Sequence, residues 1–146
     1  MGIEIVFKDD IDRAIKKIGK EAEERMLEAV AIVRDATLDT LSGPRTGRTY
    51  FVPGTRKEYT ASAPGEPPAV QLGDLRKSVK GGIVYEDGGD ECKDKGDVLV
   101  GFVGTELPKG PMLEYGTTRM SARPWLRPSF ERSMDKLKEI MTRSWF

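Results

Sequence analysis

Small and apolar residues recur at Ile11, Ile15, Ile18, Ala22, Met26, Ala29, Val30, Val33, Thr37 and Leu41, a stripe holding for roughly nine turns at 3.6 residues each. Nothing else in the chain limits its fold as strongly. Asp9 or Asp10 is placed to cap the start of this helix. Ser42, Gly43 and Pro44 end it, because glycine suits a helix C-terminus and proline cannot continue the hydrogen-bond ladder. At 1.5 Å per residue the stripe measures roughly 45 to 50 Å, longer than the core of a small domain, so the helix is expected to pack along a neighbour as well. Upstream, Ile3, Ile5 and Phe7 alternate with Glu4 and Val6, which predicts a short strand before the helix.

Two short β-prone pieces, around Thr49 to Val52 and Lys57 to Ala61, flank the turn dipeptide Pro53-Gly54 and predict a hairpin. Arg45, Arg48, Arg56 and Lys57 are interleaved there with Tyr50, Phe51 and Tyr59. That mixture suits a phosphate backbone or another subunit, and equally an ordinary solvated hairpin. Val79 to Glu86 and Val98 to Val103 read as an antiparallel pair of strands. Their acidic connection, DGGDECKDKGD, lacks the ligand spacing and distal glutamate of a calcium loop and reads as a solvated turn. Near the C-terminus regular helix should begin at Pro128, since proline is tolerated in a first turn, with Leu126, Phe130, Met134, Leu137 and Met141 as its buried stripe. The fold class is therefore α+β: long N-terminal and C-terminal helices on a small, mainly antiparallel sheet, with a protruding hairpin. One domain over residues 1–146 is expected, a length that can bury a core without metals or disulfides.

Between the hairpin and the second strand pair lies SAPGEPPAVQLGDLRKS, Ser62 to Ser78, where rigid and flexible backbone alternate. Pro64, Pro67 and Pro68 fix φ, Gly65 and Gly73 admit positive φ, and Leu75 and Val79 fall on one face of a short helical stretch. The segment reads as a joint rather than a reactive site. Farther on, Met112, Leu113 and Tyr115 form an apolar cluster ended by Gly116, and Arg119, Arg123 and Arg127 surround Trp125. These arginines fit phosphate, or salt bridges to Glu114 or Glu131.

Catalytic constellations fail one by one. The chain has no histidine, which removes the usual serine triad and zinc sites of His and Cys. Cys92, the one cysteine, excludes an intrachain disulfide, fits a reducing compartment, and has no histidine to activate it. GPRTGRT lacks the Gly-Lys-Ser/Thr ending of a phosphate loop. No carboxylate pair stands in an apolar setting that would divide acid from base. No enzyme activity, metal or cofactor is expected. With 24 basic and 24 acidic residues the chain has no overall field to draw nucleic acid or an anionic membrane, so any DNA contact must be local. MGIEIVFKDD has neither the basic flank nor the apolar run of a signal peptide, and no stretch reaches the length of a membrane span.

SAPGEPPAVQLGDLRKSV, followed about thirty-five residues later by MLEYGTTRMSARPWLRPSF, resembles the head-tail connector family of tailed phages, which includes neck and tail-completion proteins of long-tailed phages and prophages. Its marks are S-x-P-G-x-P-P before G-x-L-x-x-S, then L-E-[YF]-G-T before A-R-P-[WF]-L-x-P and a terminal helix. Here they fall on Ser62 to Ser78, Leu113 to Thr117 and Ala122 to Pro128, and the long helix preceding them also fits. The resemblance implies a small α+β structural subunit, made in the bacterial cytoplasm and placed in the virion. It would form a ring of itself, sixfold, either alone or only on meeting the growing particle. Such a ring joins a head-completion or portal-side protein to a tail tube or tail terminator protein, and DNA passes through as cargo. Closed rings need two different, complementary faces on each subunit. The residues expected at subunit or partner contacts are Pro64, Gly65, Pro67, Pro68, Leu113, Tyr115, Arg123, Trp125 and Arg127, with Trp125 as the main anchor. Internal turns remain the other reading of the proline and glycine segments. Arg45, Arg48, Arg56 and Lys57 are the candidate contacts to DNA or a partner. The alternative function is a small nucleic-acid-binding module built on that hairpin and the Arg119 to Arg127 cluster.

Overall fold

The computed structural model describes residues 2–86 and 98–145, with side chains described within 16–85 and 99–145. Cys92 and the acidic connection weighed as a calcium loop lie outside the described residues. Helix α1 spans Gly2–Ser42, 41 residues, or roughly 60 Å at 1.5 Å per residue. The strand expected over Ile3 to Phe7 is instead the first turns of this helix. Ile3, Phe7 and Ile11 also stand four apart, and lengthening an existing helix adds a hydrogen bond per residue without a new nucleus, whereas a strand needs a partner edge.

Strands β1 (Thr49–Phe51) and β2 (Glu58–Thr60) pair antiparallel with Tyr50 opposite Tyr59. A short helix α2 (Asp74–Ser78) leads into β3 (Lys80–Glu86), which pairs antiparallel with β4 (Val98–Gly104) in the register Ile83 to Gly101. Helix α3 (Lys109–Tyr115) and helix α4 (Arg127–Thr142) complete the chain. The arrangement is α+β as expected, and its described strands divide into two separate two-stranded sheets. Helix α3 falls where the prolines and glycines of PKGPMLEY suggest only turns and an apolar cluster. Pro111 sits in its first turn, where a missing N–H breaks no helical hydrogen bond.

Helices α1 and α4 pack antiparallel, since Thr40 meets Ser129 while Arg25 meets the carbonyls of Ile140 and Arg143. The seam is made of small and hydroxyl-bearing residues. Ala29, Val33, Thr37 and Thr40 of α1 are buried, as are Ser129 and Ser133 of α4. Each hydroxyl is satisfied: Thr37 donates to the Val33 carbonyl at 2.8 Å, Ser133 to that of Ser129 at 2.8 Å, and Ser129 to Thr40 Oγ1 at 2.7 Å. At the far end Arg25 is buried, paired with Glu21 at 2.6 Å, donating to the carbonyls of Ile140, Arg143 and Ser144, and stacked 4.0 Å from the Trp145 ring. A buried guanidinium is tolerable only with such partners, and here it satisfies carbonyls that the end of α4 leaves open.

The hairpin of β3 and β4 lies on the next face of α1, with Tyr85 donating from its hydroxyl to Glu23. Close approach depends on Gly101, where a Cβ would stand 2.7 Å from Met26 Sδ and 2.8 Å from Val30 Cγ2. Beyond the hairpin, Leu41, Leu75, Val79 and Trp125 form a buried cluster, flanked by Leu38, Val103, Leu113 and Leu126. Among the described residues no helix is long and apolar enough to cross a membrane.

Gly101→Ala is expected to destabilise by about 1–3 kcal/mol through overpacking against Val30. Gly104→Ala, on the same strand with nothing within 4 Å of its added Cβ, should be close to neutral. Urea denaturation of the two variants checks the pair, and equal losses would refute the tight contact.

Candidate functional site

The segments around Ser62–Pro68, Leu113–Gly116 and Ala122–Arg127 come together in one hydrogen-bonded joint. The Gly65 N–H donates to the Ala122 carbonyl at 3.1 Å, and the Arg123 N–H donates to the Leu113 carbonyl at 2.7 Å. The Arg123 guanidinium donates to the carbonyl and hydroxyl oxygens of Ser62 and to the Ala63 carbonyl. Glu114 provides the third tie. Its carboxylate accepts from the N–H groups of Trp125 at 2.8 Å, Leu126 at 2.9 Å and Arg127 at 3.0 Å. These donors lead into α4, whose N-terminus has no cap from its own Leu126, so an acid from a distant helix caps it and meets the positive end of the dipole. The turn between these pieces requires Gly116, with φ of 79° and a position where a Cβ would lie 2.8 Å from the Ala122 nitrogen.

The other residues of the joint have equally local tasks. Gly73 takes the left-handed conformation before α2, Leu75 enters the core, and the Ser78 hydroxyl lies 2.6 Å from that of Thr105 at the end of β4. Glu66 accepts from the Thr46 N–H at 3.1 Å, the Ala63 N–H at 2.9 Å and the Thr46 hydroxyl. Those hydrogen bonds, the hydroxyl of Thr46 foremost, pull its carboxyl down to about 2. Arg45 closes the end of α1, donating to the carbonyls of Thr40 at 2.7 Å and Gly43 at 2.7 Å and bridging to Pro68 at 3.0 Å.

Several expected contact residues are therefore occupied within the chain itself. Trp125, read as the interface anchor, is 2 % exposed and donates from Nε1 to the Gly110 carbonyl at 3.2 Å, so it is core. Its large ring fills the space where α1, α2 and α3 meet. Pro68 is buried, Pro67 and Leu113 are half-buried, and Arg123 and Arg45 spend their guanidinium groups on backbone carbonyls. Arg127 pairs with Glu131 at 3.1 Å, one of the two salt bridges foreseen for it. Pro64, Gly65 and above all Tyr115, at 81 %, face outward. On the hairpin Arg48, Arg56 and Lys57 are exposed beside exposed Tyr50 and Phe51.

The largest departure from the sequence reading is on α4. Its stripe of Leu126, Phe130, Met134, Leu137 and Met141, expected to be buried, lines an open groove instead. Phe130 is 46 % and Met141 39 % exposed, whereas Ser129, Ser133 and Ile140 take the buried face. The groove has a volume of about 890 Å³, with Met26, Val30 and Val33 of α1 also lining it, Phe102 of β4 on one side and Tyr115 at one end. The lining is mostly apolar and open to solvent. The sequence contained the stripe but not its direction. Of the two residues that hold the ends of α4, Glu114 is named in the sequence only as a salt-bridge partner and instead caps the helix, and Arg25 is not singled out there although it stands four residues before Ala29 on the buried face.

Trp125→Ala is expected to cost about 3–5 kcal/mol of stability and Glu114→Ala about 1–3 kcal/mol, read by chemical denaturation. A folded Trp125→Ala protein with unchanged denaturation would return Trp125 to the surface. Glu66 sets a pH dependence of definite sign. Its folded-state value lies below the ordinary carboxylate value, so its stabilising contribution is present above about 4.5 and is lost as pH falls through about 2. The denaturation midpoint should therefore fall across that window more steeply in the parent protein than in Glu66→Gln.

Among the described residues, no group of three or more His, Cys, Asp and Glu side chains is placed to hold a metal ion. Comparison with models of protein families, with curated proteins and with solved structures finds no match in any of the three.

Proposed function

We propose that this chain is a structural subunit of a tailed phage or prophage particle, forming a ring at the head-tail junction through which DNA passes. The ring would seat a head-completion or portal-side protein on one face and a tail tube or tail terminator protein on the other. Its work is binding rather than catalysis. The observation that carries this reading is the meeting of its motifs: the SAPGEPP, LEYGT and ARPWLRP segments, far apart in sequence, tie one joint through Glu114 and Arg123. Residues that define the resemblance thus share one architectural task. The joint stiffens the N-terminal end of α4 and the strap before α2, which lowers the entropy lost when the surfaces beside it dock.

A nucleic-acid-binding module is the competing reading, favoured by exposed Arg48, Arg56 and Lys57 next to exposed Tyr50 and Phe51. The internal use of Arg45 and Arg123 and the pairing of Arg127 reduce the cations available for phosphate. Three hairpin cations would give a salt slope no steeper than about −3 in log K against log salt.

Native mass measurement and electron microscopy of the purified protein, with a salt-titrated duplex-binding assay, separate the readings. A closed oligomer with an open centre and weak, shallow-sloped DNA binding is expected. A protein that stays monomeric at every concentration and binds duplex tightly with a steep salt slope would overturn the ring.

A further inference from the structure

We infer that the groove between β4 and α4 is the seat for the N-terminal half of α1 from a second copy of this chain. The identity of that copy rests on the ring reading above. The groove's own features select the occupant. Its stripe from Leu126 to Met141 runs 15 residues along α4, or about 22 Å, and its walls are apolar. An amphipathic helix of about four turns fits such a surface, anchored at i, i+4 and i+7 positions.

The chain carries a helix of that length and pattern. Apolar positions 3, 7, 11, 15 and 18 recur at intervals of four and three along the backbone of α1 and also span about 22 Å. Charge is divided along it. Residues 2–12 contain Glu4, Asp9, Asp10 and Asp12 against Lys8, whereas Arg13, Lys16 and Lys17 follow, so the acid is confined to the N-terminal part of a segment that is neutral as a whole. The groove is edged by Arg127 and Lys138, while Glu114, the acid on its lining, is committed to the N–H groups at the start of α4. Arg127 shares its charge with Glu131, which leaves Lys138 as the principal cation.

A single chain cannot make this contact with itself. Met26, Ala29, Val30 and Val33 of α1 line the groove, and α1 continues without a break from Gly2 to Ser42. Its first twenty residues therefore run straight on along the axis and cannot fold back over Val30 without breaking the helix. Another subunit must supply them; passed on from copy to copy the contact is head-to-tail, the type that closes rings, and exchanged between two copies it gives a dimer.

The full-length protein tests this through Phe130→Glu, which spoils the groove, and Ile11→Glu, which spoils the inserted helix. Each variant alone should lose assembly while keeping its circular dichroism and thermal midpoint. Mixed in equal amounts they should form a dimer and nothing larger, because one intact helix and one intact groove remain. Light scattering reads both results. In a Cys92→Ser background, Ile11→Cys with Phe130→Cys should give a ladder of cross-linked chains on oxidation, which keeps the test independent of whether the glutamate variants fold. Cross-links that stop at dimers would support the groove and sink the ring. A large assembly indifferent to Phe130→Glu and free of these cross-links would leave the ring and overturn the groove assignment. Monomers without interchain cross-links at the highest attainable concentration would overturn it too.

Discussion

The seam between α1 and α4 decides the rest of this structure. It is built from Ala29, Val33, Thr37 and Thr40 against Ser129 and Ser133, side chains short enough to bring the two backbones close. At about 100° of rotation per residue, the face holding Trp125, Ser129, Ser133 and Ile140 is turned roughly 90° from the apolar stripe of the same helix. Choosing the small face for burial commits the apolar stripe to the outside. The open groove follows from that choice of seam and from the place Gly101 makes for β4 on α1.

Polar side chains hold the ends of the helices in this seam. Glu114 accepts from three N–H groups where α4 begins, Arg25 donates to carbonyls where it ends, and Arg45 does the same where α1 ends. Each answers the same requirement, that backbone groups left over at a helix terminus find partners when water is excluded. This explains how a chain so rich in arginine and glutamate commits much of that charge to architecture. It also explains why two of the three arginines around Trp125 are poor evidence for phosphate binding, since Arg123 is held by Ser62 and Ala63 and Arg127 by Glu131, while Arg119 is exposed.

The proposed function draws these features together. A rigid joint, an apolar groove left open beside it and a helix longer than its own domain are what a subunit needs if it is completed by its neighbours. Hydrophobic burial supplies such contacts without chemistry, and electrostatics sets their direction. The hairpin is held to the joint at its base, where Thr46 donates to Glu66, while Arg48, Arg56, Lys57, Tyr50 and Phe51 are exposed.

Local pattern by itself determined the α+β class, α1 from Ile11 onward, the end of that helix at Ser42, both hairpins, and the start of α4 within a residue of Pro128. These depend on periodicity and on proline and glycine, whose effects act within a few residues. It also located the joint, because the backbone demands of Gly73 and Gly116 and the stiffness of the prolines are local properties. Tertiary structure alone decided what the side chains do. Trp125, read as an anchor, is core, and the stripe of α4, read as core, is half-buried at Leu126, Met134 and Leu137 and exposed at Phe130 and Met141. A hydrophobic period states that one face wants burial but not which partner covers it. The short hydroxyl-bearing face of α4 won the place against α1 because two helices can approach more closely across serines than across phenylalanine and methionine.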